Sequence, residues 1–484
     1  MDEVRHFIGG TWADAASGRT YDNRSPWSGA VIGAVAAGDD EDARRAIDAA
    51  HRAFGEWSRA APARRQTVFL RAADILEGRR AAVREALARE TGCGAVFGEI
   101  QVDFAVSLLR QAAQLAYQPV GQLLASDVPG TQALAVRRPV GVVGAIAPWN
   151  ASLSLSGRAI AGPLALGNTV VLKPSEEAPW TGGGLWAEIL HEAGLPDGVL
   201  NVVTHAPGEA GVIADALLAS RRVKRINFTG STPTGRRLAE KAGTHLKRVV
   251  LQLSGQNPMI VAEDADVDYA VEAAAYGAFL HQGQLCMCAR RIYVARAVAD
   301  EFLTKFAAKV AALPTGDPAD PATVVGPVIN EWALAMLERR VKQAVDAGAR
   351  ILAGGEAQAP CYPATVLADV PADTELAEVE TFGPIVTVEV VESAEDAVDH
   401  ANRSDLGLVA SIISRDVPGA MRLAARLEVG IVHVNDQTVN DEPQMPFGGV
   451  KDTGWGRFGV GVAAEEFTEL QWLSVREQNR TFPF

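Results

Sequence analysis

Between residues 140 and 242 the chain alternates short apolar runs with amphipathic stretches. VGVVGAI at 140–146 reads as a buried strand. The pattern then predicts helix over 155–166, strand over 169–172, helix over 181–193, strand over 199–203, helix over 209–220, strand over 223–228 and helix over 233–242. Such alternation implies right-handed βαβ units and an open parallel sheet. A second β/α series begins near residue 252 and continues to about 440. Ahead of both, residues 1–35 read as short strands and turns, punctuated by Gly9-Gly10 and by 23–26. Residues 39–57 set Ala43, Ile47, Ala50 and Phe54 on one helical face. Two or three more helices reach Tyr117, with Pro62 near the start of one and Gly92 near the end of another. At the far end, 466–475 alternates weakly, as an exposed strand and a candidate oligomer arm.

The join between the two series, 251–286, organises the rest. The small-residue turn Ser254-Gly255 precedes the apolar run 259–262, and an acidic step at 263–266 caps a helix that runs to Leu280. The chain breaks at Gly283, and Cys286 follows directly. A cysteine on such a segment is exposed to a cleft or, as for most cysteines, an inert core residue.

Composition narrows the class. A chain of 484 residues is too long for one core and implies two or more domains. Its 48% hydrophobic and 21% charged residues are ordinary globular usage. A net charge of −14 disfavours nucleic acid or an anionic membrane as partner. Cys93, Cys286, Cys288 and Cys361 are too scattered for a disulfide framework, and no second pair or histidine cluster completes a zinc site. The start MDEVRHFIGGTW is not a signal peptide, and no apolar run reaches the roughly 18 residues of a membrane span. The expectation is a cytoplasmic protein.

Chemistry gathers at strand ends, where open parallel sheets bind ligands. Thr229-Gly230-Ser231 leads into a helix whose free N–H groups suit a phosphate, or is a plain turn. Lys173 and Glu176 suit a ribose, or form a solvated loop. Trp149-Asn150 offers a side-chain amide for an oxyanion, or only a turn. Glu380-Thr381-Phe382-Gly383-Pro384 and 446–451 are loops, each weak evidence alone. His281 reads as a packing or solvent residue.

Taken in order, PWN, KPSE, FTGS, GQxC, ETFGP and PFGGVK resemble the aldehyde dehydrogenase superfamily over nearly the whole chain. GQLCMCARRIYV and DEPQMPFGGVKDTGWGRFG are similar to the benzaldehyde, vanillin and salicylaldehyde dehydrogenases of bacterial aromatic catabolism. The resemblance implies an α/β fold: a Rossmann-like cofactor domain (1–118 and 139–251), a second α/β catalytic domain (252–443) and a small β oligomerisation arm (119–138 and 462–484). It implies a homodimer or homotetramer that oxidises an aromatic aldehyde with NAD, NADP remaining possible. Cys286 is then the nucleophile, and Asn150 with the Cys286 N–H holds the oxyanion. Lys173 and Glu176 contact the adenosine ribose, and Gly230 and Ser231 meet the pyrophosphate. Glu380 holds the nicotinamide ribose, while Trp149, Leu253 and Phe382 complete the cofactor set. Ala151 and Phe447 line a substrate pocket; Arg158 lies near its funnel or on a helix surface.

One position departs. The family places glutamate, its general base, where this chain has Gln252. An amide orients water but takes no proton, and general base catalysis is worth roughly 10²–10⁴ in rate. The open readings are a base-to-amide variant of an ordinary enzyme, proton transfer to Glu380 or a water chain, acyl transfer to coenzyme A, and a non-catalytic oligomeric protein on the same fold.

Overall fold

A computed structural model describes residues 3–118 and 121–484; Met1, Asp2, Pro119 and Val120 lie outside it, so the expected arm segment 119–138 is described from Gly121. Three sheets dominate. The first has seven strands in the spatial order Arg248–Gln252, Val223–Thr229, Val142–Ile146, Thr169–Lys173, Leu200–Val202, His6–Ile8, Thr11–Ala13. Its first five strands are parallel, and the last two add an antiparallel hairpin. Val142–Ile146 and Thr169–Lys173 are buried at every residue because helices cover both faces. From Val142–Ile146 the chain builds outward to one side, then returns to build the other with Val223–Thr229. That reversal opens a crevice beyond the carboxyl ends of these two neighbours.

The second sheet has the order Arg350–Ala353, Thr365–Ala368, Ile385–Val391, Arg291–Ala295, Pro258–Val261, Val409–Ile413, Ile431–Val434. Only Arg350–Ala353 is antiparallel to its neighbour. The third is a three-stranded antiparallel sheet that pairs Thr468–Arg476 with Thr131–Pro139, and that strand with Gly121–Leu124. Trp472 and Leu470 stand exposed on it.

The helices follow the sequence closely. Asp39–capped Asp40–Trp57, Pro62–Gly78, Arg80–Thr91 and Ala95–Leu115 precede the first parallel strand. Gly92 adopts the left-handed conformation, φ 65°, that ends its helix. Asp266 caps Val267–Phe279 through the Tyr269 N–H at 3.2 Å. Three boundaries differ from expectation. The helix expected from 155 begins at Ser152, directly after the Asn150 turn. The one expected over 181–193 opens with a wide π turn, Trp180–Gly184, before the regular Leu185–Glu192. Three successive glycines there tolerate the wider winding, and the buried Glu90 carboxylate accepts the Trp180 and Thr181 N–H groups at 2.9 and 2.8 Å. At the far end, Ala463–Phe467 forms a helical turn that buries Phe467, so the final strand starts at Thr468.

Candidate active site

Cys286 owes its position to a constrained turn. After Phe279 the chain passes through His281 and Gln282 at φ 50° and 53°, then Gly283 at φ 65°. Two consecutive non-glycine residues in the left-handed region are costly and persist only where the surroundings fix them. Here they do. Gln282 donates to the carbonyls of Gly92 and Pro327 at 2.8 and 3.0 Å. His281 stacks on Phe97 with ring centroids 4.8 Å apart, and burial pushes its imidazole down to about 3, the packing role expected of it. The guanidinium of buried Arg290 donates to the carbonyls of Gly383 at 2.8 Å, Leu285 at 3.2 Å and Gly283. At Gly283 a Cβ would sit 2.2 Å from the Gly383 carbonyl oxygen, so only glycine lets the two loops touch.

The other wall is the turn at 252–257. Asn257 donates to the carbonyls of Cys286 and Cys288 at 2.6 and 2.8 Å. A Cβ on Gly255 would lie 2.8 Å from the Cys286 carbonyl, which explains the small-residue step there. The Gly255 N–H in turn donates to the Glu380 carboxylate at 3.3 Å.

Cys286 is half-buried and lies where two cavities meet. One, of about 700 Å³, occupies the crevice where the first sheet reverses. Trp149, Asn150, Gly230, Ser231, Gln252, Leu253, Glu380 and Phe382 all line it. The other, of about 310 Å³, is lined by Asn150, Ala151, Arg158, Phe447 and Asp441 among others. Asn150, Leu155 and Cys286 belong to both.

The electrostatics are those of a guarded thiol. Burial pushes Cys286 up to about 12, helped by the Glu380 and Asp441 carboxylates and opposed by Arg158. Burial also raises Glu380, against Arg290. Asn150 spends one amide hydrogen on the Gln284 carbonyl at 2.9 Å and keeps a second. The Cys286 backbone N–H has no acceptor among the described residues. Asn150 and Cys286 line both cavities together, so these two donors suit an oxyanion on an aldehyde carbon attacked by the sulfur. Gln252 is buried; its Nε2 donates to the Leu253 carbonyl at 3.3 Å and its Oε1 has no partner among the described residues.

The family model for the aldehyde dehydrogenase family matches residues 12–473. The chain belongs to the aldehyde dehydrogenase family. Aldehyde dehydrogenases oxidise an aldehyde with NAD(P), so the chain is an aldehyde-oxidising oxidoreductase. It is similar to a vanillin dehydrogenase of Pseudomonas sp., 46% identical over 483 residues and 100% of both chains. It is similar to the NAD(+) benzaldehyde dehydrogenase of Pseudomonas putida, 42% identical over 98% of this chain and 96% of that one. Among solved structures, a salicylaldehyde dehydrogenase from Pseudomonas putida complexed with salicylaldehyde superposes with a TM-score of 0.97 at 39% identity, covering 100% of each.

Within this aldehyde dehydrogenase the residues singled out from sequence converge on the two cavities, with two exceptions. Lys173 and Glu176 lie outside the lining of the larger one, at the end of Thr169–Lys173. Lys173 Nζ contacts His205 Nε2 at 2.7 Å and donates to the Pro174 carbonyl at 3.1 Å. Burial lowers the lysine to about 8, against Glu176, and lowers His205 to about 4. Arg158 resolves the other way from a surface arginine: it is 5% exposed. Asn257, Arg290, Asp441 and Phe104, whose ring lies under the Arg158 guanidinium at 4.8 Å on the wall of the smaller cavity, were not legible as site residues. Asn257 and Arg290 act on backbone carbonyls, which every residue carries; Phe104 and Asp441 reach the site only through the fold.

Proposed function

We propose that this chain oxidises a one-ring aromatic aldehyde to its carboxylic acid through a thioester on Cys286, with NAD as the preferred cofactor. The observation that carries this reading is the position of Cys286 at the junction of the two cavities, beside the Asn150 amide and its own free N–H. The names of the vanillin, salicylaldehyde and benzaldehyde dehydrogenases support the aromatic class.

The larger cavity fits a dinucleotide. The helix Thr232–Thr244 presents its N-terminus there beside Gly230 and Ser231; Ser231 makes no side-chain cap, the Thr232 N–H donates to Ser254 Oγ at 3.4 Å and Pro233 has none, so among the described residues the Thr234 N–H is the one in the first turn left for a pyrophosphate. Glu380, on the cavity wall, is assigned to a ribose diol, and Phe382, in edge contact with Trp149 at 5.7 Å, to the nicotinamide. Lys173 and Glu176 are assigned to the adenosine ribose; the Glu176 carboxylate repels a 2′-phosphate, and Lys173 is already engaged by His205 and Pro174. We assign 1–118 and 139–251 to the cofactor domain, 252–443 to the catalytic domain, and 119–138 with 462–484 to an oligomerisation arm of a homodimer or homotetramer; the separate sheets are in keeping with this division, except that Gln252 ends a strand of the first sheet and Pro139 a strand of the third.

In the mechanism the Cys286 sulfur bonds to the aldehyde carbon while the thiol proton leaves to solvent. The carbonyl oxygen becomes an oxyanion held by Asn150 and the Cys286 N–H. NAD(P), which the residues lining the larger cavity would hold, would supply the hydride acceptor for the oxidation to the thioester. Water then releases the acid and restores the thiol. Gln252 orients that water through its unpartnered Oε1 but accepts no proton, so release is the slow step.

Mixing enzyme at concentrations comparable to NAD and benzaldehyde tests this. The expected trace is a burst of one NADH per site followed by a slow phase, and Gln252→Glu accelerates the slow phase by about 10²–10⁴. Steady turnover without a burst assigns water activation to another group. Rescue of the slow phase by coenzyme A makes a thiol the acyl acceptor. No NADH from folded enzyme removes the oxidative reading for this substrate.

A further inference from the structure

The larger cavity carries one cation on its wall. Among the described residues that line it are four carboxylates, Glu378, Glu380, Asp405 and Asp452, and a single guanidinium, Arg340. Arg340 belongs to the helix Glu331–Asp346, which also turns Trp332, Ala333 and Met336 to the cavity, so the arginine is the polar end of an apolar helix face. Its hydrogens are largely engaged by protein. Nε donates to Glu375 Oε2 at 3.0 Å, and Nη1 to the carbonyls of Glu380 at 2.9 Å and Thr381 at 3.5 Å. Three of the five guanidinium hydrogens therefore tie the fork to the segment 375–383.

That segment needs holding. It carries Glu380 and Phe382, the two groups assigned to the nicotinamide end of the cofactor. Phe382 sits in the left-handed region at φ 51°, which a bulky residue adopts only where its surroundings impose it. At Gly383 a Cβ would lie 2.5 Å from the Leu337 side chain, so the loop runs directly against the same helix. Its far end is fastened by Arg290 on the Gly383 carbonyl, and the Glu380 carboxylate by the Gly255 N–H. Its near end, at the Glu380 and Thr381 carbonyls, is fastened by Arg340. Glu375 anchors Arg340 in turn: it opens the short helix Glu375–Glu378 and also accepts from Arg339 at 2.9 Å. Hydrogen bonds from Arg339 and Arg340 hold the Glu375 carboxyl down to about 2, so the anchor stays ionised at any working pH.

We propose that Arg340, anchored by Glu375, is a positioning residue for the nicotinamide half of the dinucleotide: it sets the backbone at Glu380 and Thr381, and through it the Glu380 carboxylate and the Phe382 ring. This rests on the dinucleotide reading of the larger cavity above. The adenosine and the pyrophosphate are assigned to other elements, the Lys173 loop and the helix Thr232–Thr244, and do not depend on Arg340. Without the link the loop is ordered only when the cofactor binds. That cost falls on ligands that use the loop and on no others.

The test is calorimetric titration of wild type, Arg340→Met and Glu375→Gln with NAD and with ADP, which has the adenosine and the pyrophosphate but no nicotinamide ribose. Arg340→Met is expected to weaken NAD by about tenfold or more and to leave ADP within about twofold of wild type. Glu375→Gln acts in the same direction by a smaller factor, and this partly exposed position carries the test if Arg340→Met does not fold. In initial rates the KM for NAD rises and the KM for benzaldehyde does not. Equal losses on NAD and ADP overturn the proposal, because a phosphate contact or a general structural role moves both. NAD affinity unchanged in both variants also overturns it, since the loop is then held without the pair. Either result sinks this inference alone, because wild type still binds NAD. A folded wild type that binds neither ligand sinks the dinucleotide reading as well.

Discussion

Cys286 keeps its proton in the resting enzyme. Burial raises the thiol to about 12, and the Glu380 and Asp441 carboxylates add to that, outweighing Arg158. The thiol is neutral when protonated, so raising its pKa shrinks the thiolate fraction at any lower pH, and that fraction grows tenfold per pH unit until the pKa is reached. Alkylation of Cys286 by iodoacetamide in cofactor-free enzyme is therefore expected to climb steadily, with no plateau below about pH 10. Peptide mass spectrometry at several pH values measures it; a plateau near neutrality would mean that the folded site stabilises thiolate. Residue identities such as Cys286 and Asn150 were legible from sequence because each sits in a short motif at a strand or turn. Their surroundings were not. Asp441 and Arg158 are 283 positions apart, and nothing local in either stretch records that they meet.

Among elements, the segment Leu280–Gly283 and the turn beyond it do the positioning. The sequence announced a break at Gly283 but not the two left-handed residues before it, since neither His281 nor Gln282 favours that conformation alone. They adopt it because Phe97, Gly92 and Pro327 hold them from outside the segment. Arg290 is the other fastening. Arg290→Ala would leave the Gly283 carbonyl without a donor and take a second donor from those of Gly383 and Leu285, which keep the Ile385 and Cys288 N–H groups, and the expected cost is about 1–3 kcal/mol. A lowered urea midpoint together with lost aldehyde oxidation is the predicted outcome. An unchanged midpoint would show that the turn is secured elsewhere. Helices and parallel strands were the most legible elements because their periodicity is local. Their ends moved where a distant group, such as Glu90 at Trp180–Gly184, satisfied the first N–H groups.

At the level of the whole molecule, the two β/α series were plain in the hydrophobic pattern, and so was the last strand. Its partner, Thr131–Pro139, lies more than 300 positions earlier and left no mark in that pattern; only the family resemblance joined 119–138 with 462–484. No helix among the described residues is long and apolar enough to cross a membrane. The junction at Cys286 also has a consequence for traffic through the enzyme. Two cavities that share only Asn150, Leu155 and Cys286 give the reactants separate doors. An acid leaving by the smaller door has no dinucleotide to displace. In initial-rate inhibition measurements with the carboxylic acid, reciprocal plots should intersect on the rate axis when aldehyde is varied and away from it when NAD is varied. Competition against NAD instead would mean that product and cofactor share one exit.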